Sequence, residues 1–138
     1  MKKLFLDSNI WLRFFLKDND QFESTQKLIS AIEEGKFKPY ASAIVLLEVT
    51  YVLKSVYKLP AEKIIKILDS ICDLRNITII EKTNSKIALK FMENFNIKYS
   101  DCLIASQIKK DIILVTFDRE FSKIKSVNCK TPAQILAD

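Results

Sequence analysis

Short apolar blocks alternate with longer stretches of helical spacing along the chain, and that alternation is the first guide to its architecture. Residues 3–7 are an apolar run of strand length. Residues 8–16 and 21–34 read as helices; the second places Leu28, Ile29 and Ile32 on one face and closes at Gly35 as a C-cap. Residues 37–41 form a short strand whose Pro39 cannot donate to a ladder, which marks a weak or edge strand. Ser42 caps a helix running to about Val56. Leu59-Pro60 opens another, with Ile64, Ile65, Leu68, Ile71 and Cys72 at helical spacing. Residues 77–80 are a strand, and residues 84–95 a helix with Ile87, Ala88, Phe91 and Met92 facing inward. A helix over 101–110, started by Ser100 or Asp101, leads into a buried strand at 112–115. A turn at 121–124, a last strand at 127–129 and a terminal helix opened by Thr131-Pro132 complete the chain. The pattern predicts an α/β fold, with a mostly parallel sheet covered on both faces. In such sheets ligands bind beyond the carboxyl ends of the strands.

Four acids stand in apolar surroundings. Asp7 ends the strand Leu4-Phe5-Leu6 and precedes Ser8-Asn9; an N-cap aspartate fits there as well as a catalytic one. Glu48 is the only charge in ASAIVLLEVTYVL, and its helical neighbours Ile44, Val45, Tyr51 and Val52 are apolar or aromatic. Such a carboxylate needs a cation, a proton or a basic partner, unless it reaches water at the edge of the face. Asp101 precedes Cys102-Leu103-Ile104-Ala105, where ordinary helix capping is the stronger reading of the residue taken alone. Asp118 follows the strand at 112–115 after Thr116-Phe117, a place that also suits a turn aspartate. If the four meet, a charge near −4 at close range demands cations. Oxygen ligands alone favour hard ions such as Mg²⁺ or Mn²⁺. Carboxylate-held ions of that kind suit phosphodiester chemistry.

Composition narrows the choice. The 138 residues are enough for one domain, read here as 1–138, and 49% apolar with 28% charged residues predicts a globule with a core. The absence of histidine excludes imidazole mechanisms, and the single glycine excludes glycine-rich phosphate loops. Three scattered cysteines make a poor zinc site and suggest buried fillers in a reducing compartment. Twenty-two basic against 17 acidic residues give +5, which suits a polyanion; with the four acids set apart in one pocket, the remainder is nearer +9. No apolar stretch is long enough to span a membrane, and the protein is expected to be cytoplasmic.

Taken in order, these motifs resemble PIN-domain ribonucleases, most closely VapC-type toxins of toxin–antitoxin pairs. LFLDSN (residues 4–9) is similar to the family's first motif. Ser42-x-x-Val45-x-x-Glu48 is similar to its second, Asp101-x-x-Ile104-Ala105 to its third, and Thr116-x-Asp118-x-x-Phe121 to its fourth. The resemblance implies a three-layer α/β/α sandwich with a central mostly parallel sheet of four to five strands, and Mg²⁺- or Mn²⁺-dependent cleavage of single-stranded RNA. Asp7, Glu48, Asp101 and Asp118 would hold metal and activate water, with Ser8, Asn9, Thr116 and Glu120 in support. It also implies a homodimer and a small antitoxin partner.

Arg13 and Arg119 lie near these motifs and are candidates for phosphate contacts. Trp11, Phe14 and Phe15 fit core or dimer contacts better than base stacking. Three other readings stay open. One is a phosphotransferase with Asp7 as covalent nucleophile, although Asn9 stands where that chemistry wants an acid. Another is a PIN nuclease of RNA maturation. The third is an RNA- or protein-binding module that has lost activity.

Overall fold

The structure, a computed structural model, describes residues 1–17 and 19–138. Strand β1 (Lys2–Leu6) is followed by helices α1 (Ser8–Leu16) and α2 (Phe22–Glu33), then β2 (Phe37–Ser42), α3 (Ala43–Ser55), α4 (Ala61–Cys72) and β3 (Thr78–Ile80). Helices α5 (Ser85–Phe95) and α6 (Tyr99–Ser106) lead to β4 (Ile112–Val115), a 3-10 turn (Arg119–Lys123), β5 (Cys129–Lys130) and α7 (Pro132–Ala137). The five strands form one sheet in the order β3-β2-β1-β4-β5, and every pairing is parallel. Right-handed crossovers put α1 to α4 on one face and α5 and α6 on the other, giving three layers. Contacts of α1 with α2 and α3, of α3 with α4, and of α5 with α6 accord with that division, while α3 also meets α6 and α7 packs on α2.

Strand β1 lies at the centre, and its Leu4, Phe5 and Leu6 are fully buried. A strand flanked on both sides and covered on both faces has to be apolar throughout, which is why the run carries no alternation. The chain leaves β1 towards β2 and β3, then crosses back to place β4 on β1's other side. The sheet's switch point is therefore the gap between β1 and β4, where a crevice opens beyond the strand ends. Leu6 pairs with Val115. The next residues, Asp7 and Thr116, therefore stand side by side over that gap, and the Asp7 N–H donates to the Val115 carbonyl at 3.0 Å. Trp11 is buried, with Nε1 donating to the Leu6 carbonyl at 3.2 Å, so it locks α1 against the strand that carries Asp7.

Several expectations change. β2 is an interior strand, because β3 is only three residues long and pairs with Tyr40, Ala41 and Ser42; Pro39 lies just before that doubly paired stretch. On α5, Ile87 and Met92 are exposed, whereas Ala88 is buried and Phe91 half-buried. The helix packs chiefly on α6, which covers only a narrow stripe. Helix α6 stops at Ser106 because tight turns from Gln107 to Ile112 reverse the chain into β4. The last strand falls at Cys129–Lys130, since Val127 N–H is spent on the Ile124 carbonyl. Cys102 is a buried filler and Cys129 a half-buried one, but Cys72 is exposed; all three are free thiols. None of the described helices is long and apolar enough to cross a membrane.

Candidate active site

Asp7 takes the capping position that the sequence allowed. It is the N-cap of α1, with Oδ1 accepting from the Ser8 N–H at 2.8 Å. Its Oδ2 accepts from Thr116 Oγ1 at 2.7 Å and from Asn9 Nδ2 at 3.4 Å, and only 3% of the residue is exposed. Thr116 Oγ1 also accepts from Asn9 Nδ2 at 3.2 Å and from the Asp118 N–H at 3.0 Å, while Asn9 Oδ1 accepts from the Phe117 N–H at 3.3 Å. One hydroxyl thus ties the end of β4 to the end of β1 and fixes the backbone that carries Asp118. Ser8 serves through its backbone N–H; no hydrogen bond of its hydroxyl is found among the described residues.

Asp101 is not a cap. Lys98 occupies the N-cap position of α6, and Asp101 lies in the first turn, 5% exposed, on a helix whose inner face is Cys102, Ile104 and Ala105. Across from it, Glu48 projects from the middle of α3 with its side chain 18% exposed. Glu48 Oε2 accepts from Ser100 Oγ at 3.2 Å and stands 3.7 Å from Lys98 Nζ. Its Oε1 is buried with no hydrogen-bond partner. A lysine therefore meets half of this carboxylate, and the other half is an acceptor that costs free energy until something positive reaches it. Lys98 and Ser100 were missed as site residues. The one signal was the i,i+3 spacing of Lys98 to Asp101, which is too common on helix surfaces to single Lys98 out and says nothing of Ser100.

Asp118 caps the 3-10 turn, its Oδ1 accepting from the Glu120 N–H at 2.9 Å. Asp101 and Asp118 face a cleft of about 300 Å³ that Lys98, Glu120 and Asn96 also line. The Glu120 carboxylate is exposed and paired with Lys123 at 2.6 Å. Arg119 is exposed beside Asp118, and Arg13 is half-buried in the last turn of α1.

The acids feel one another. Burial pushes the Asp7 carboxyl up to about 6, against the hydrogen bonds from Thr116 and Ser8, and the charges of Glu48 and Asp118 push the same way. Burial pushes Asp101 up to about 7; Lys98 opposes this, and Asp7, Glu48 and Asp118 add to it. Burial and the charges of Asp7 and Asp118 raise the Cys129 thiol to about 11, which leaves it an inert neighbour. Among the described residues no three acids already stand at ligand distance of a common point. Two buried acids that hold protons near neutral pH, with an orphaned buried oxygen of a third close by, are short of positive charge. The donor set is all oxygen, which suits a hard divalent ion.

Comparison with known proteins gives the family. A family model for the PIN domain matches residues 4–127. This chain belongs to the PIN domain family. A VapC ribonuclease of Aquifex aeolicus (strain VF5) is 25% identical over 127 residues, covering 89% of this chain and 94% of that protein. Among solved structures, the PIN domain resembles a chain of VapBC2 from Rickettsia felis bound to a promoter DNA fragment (TM-score 0.66, 24% identity, 93% of this chain and 97% of that one). It also resembles chains of a toxin–antitoxin complex from Klebsiella pneumoniae (0.64, 18%, 95% and 98%) and of VapBC-1 from nontypeable Haemophilus influenzae (0.65, 15%, 94% and 98%). The three-layer α/β PIN fold is thereby established, with one more strand than the lower end of the expected four to five.

Proposed function

We propose that this PIN domain is a metal-dependent endoribonuclease acting on single-stranded RNA, the toxin of a toxin–antitoxin pair. The observation that carries the reading is geometric: Asp7 is buried over the β1/β4 switch point, Asp101 and Asp118 face one cleft, and the Glu48 Oε1 near them is buried without a partner among the described residues. Asp7, Glu48, Asp101 and Asp118 would hold Mg²⁺ or Mn²⁺. The ion would supply the charge that activates water and offsets the phosphodiester oxygens. Thr116 and Asn9 hold the Asp7 carboxylate in one rotamer, Ser100 holds Glu48, and Lys98 lies where it can meet a phosphate. The covalent-nucleophile alternative gains nothing here, because both Asp7 oxygens accept hydrogen bonds and the residue is almost fully enclosed.

The partner reading rests on a second feature. Leu47 and Tyr51 of α3, 66% and 68% exposed, form with Val52 an apolar groove of about 550 Å³ that ends at Glu48 and Lys98. Such a groove beside the acids fits an antitoxin segment, as the likeness to VapBC chains suggests. Homodimer formation belongs to the same proposal, and sedimentation of the isolated chain measures it. The central test is cleavage of a defined RNA pool. Cutting that needs Mg²⁺ or Mn²⁺, stops with chelator and stops in Asp7→Asn is the expected result. Cutting that survives the substitution would sink the proposal.

A further inference from the structure

Asp118 forms a wall between two clefts. The smaller holds the face of Asp101; the other, about 480 Å³, lies towards β5 and is lined by Gln21, Phe117, Arg119, Ser122 and Gln134, together with Thr116 and Asp118 themselves. Three polar side chains of this second cleft keep unspent groups. Among the described residues the Arg119 guanidinium makes no ion pair or hydrogen bond. The Gln21 carboxamide, at the N-cap position of α2, makes no capping hydrogen bond. Gln134 Oε1 accepts from the Thr131 N–H at 2.8 Å, which leaves its amide donors open. Lys130, also in the lining, is already taken by Asp138, so Arg119 is the cation available to a ligand.

These groups match one kind of ligand. Single-stranded RNA is read by splaying a base against an aromatic ring and hydrogen-bonding its edge, with arginine on the phosphate. Carboxamides offer a donor and an acceptor side by side, the pattern that a base edge presents in return. The volume lies towards the low end of the roughly 300–1,000 Å³ of small-ligand sites, enough for one nucleotide. A protein wedge would want the apolar lining that the Leu47–Tyr51 groove has and this cleft lacks. We propose that this cleft seats the unpaired nucleotide next to the scissile phosphodiester, with Arg119 on its phosphate, the Phe117 ring against its base, and Gln21 and Gln134 reading the base edge. Because Thr116 and Asp118 belong to the cleft and to the acid cluster alike, a nucleotide seated there leaves its adjoining phosphate at the acids. The inference rests on the ribonuclease reading and adds base selection to it.

The test is cleavage of a single-stranded RNA pool randomised about the cut, sequenced for wild type, Gln21→Ala, Gln134→Glu and Arg119→Gln. Wild type should prefer one base at one adjoining position by about tenfold. Gln21→Ala should flatten that position alone. Gln134→Glu keeps the acceptor that caps α7 while removing the donor, so it should change the favoured base without loss of the helix. Arg119→Gln should weaken cleavage of all sequences alike. A wild-type preference left untouched by Gln21→Ala and Gln134→Glu overturns the inference. Fluorescence anisotropy of labelled tetraribonucleotides without metal separates the two layers. If no RNA is cut but wild type binds with a base preference that Gln21→Ala erases, the cleavage reading fails and the subsite stands. If no RNA is cut and binding is indifferent to base, the subsite fails too.

Discussion

At the scale of single residues, Thr116 does more than its small side chain suggests. It donates to Asp7 and accepts from Asn9 and from the Asp118 backbone, all within a buried network. Thr116→Val keeps the shape and strands those partners, which should cost about 1–3 kcal/mol in urea unfolding and lower RNA cleavage with it. Thr116→Ser should recover most of both; recovery by Val instead would show that only packing mattered. The acids carry a second prediction. Asp7 and Asp101 hold their protons more tightly in the fold than in the unfolded chain. Below about pH 4 both states are protonated and the difference contributes nothing against folding. As pH rises the unfolded chain releases its protons first, so relative stability is lost until pH passes about 7. In chelator, Asp101→Asn should therefore gain thermal stability relative to wild type across that window, and parallel pH curves would refute the placement. Glu48 stood out in sequence because a charge inside an apolar run is improbable, whereas Asp7 and Asp101 stood out only by their places at a strand end and a helix start. Lys98 and Ser100 were not, because a lysine and a serine before a helix look like ordinary surface and capping.

At the scale of elements, apolar spacing and cap residues anticipated the five strands and seven helices found among the described residues, the last strand displaced by two residues, and the errors of spacing share one cause. Periodicity reports which residues one face carries, not how much of that face a neighbour covers. Helix α5 shows this: its stripe was read correctly as a stripe, but α6 covers only Ala88 and part of Phe91. Pro39 shows the converse, since a residue that suggests an edge is tolerated inside the sheet where the adjacent strand is short. Gly35 was legible because local geometry alone decides it. Its N–H donates to the Ile32 carbonyl, the Lys36 N–H reaches back to Ala31, and φ is +83°, the left-handed closure of α2. A Cβ there would also meet the Arg75 guanidinium at 3.1–3.3 Å, and Arg75 Nη1 donates to the Glu33 carbonyl at 3.0 Å. Gly35→Ala should therefore destabilise by about 1 kcal/mol, read as a lower urea midpoint at unchanged slope. An unchanged midpoint would mean that the turn relaxes freely.

At the scale of the whole molecule, the charge is divided rather than merely positive. The chain is +5 overall, yet four acids converge at the carboxyl edge of the sheet, and the remainder is nearer +9. On the proposed ribonuclease reading, an RNA phosphate would be drawn to the surface and repelled at the acids, unless a cation stood between. That conflict gives a binding measurement independent of turnover. In chelator at a pH above about 7, where Asp101 is ionised, Asp101→Asn should bind a single-stranded oligoribonucleotide more tightly than wild type, because one repelling charge is gone. Adding Mg²⁺ should strengthen wild-type binding more than that of the variant, since the ion offsets charge that the variant no longer has. Affinity should fall with salt for both, as the basic surface makes phosphate contacts in either case. If Asp101→Asn binds no better without metal, or if Mg²⁺ helps both equally, the acids do not face the phosphate and the site has been assigned to the wrong edge of the sheet.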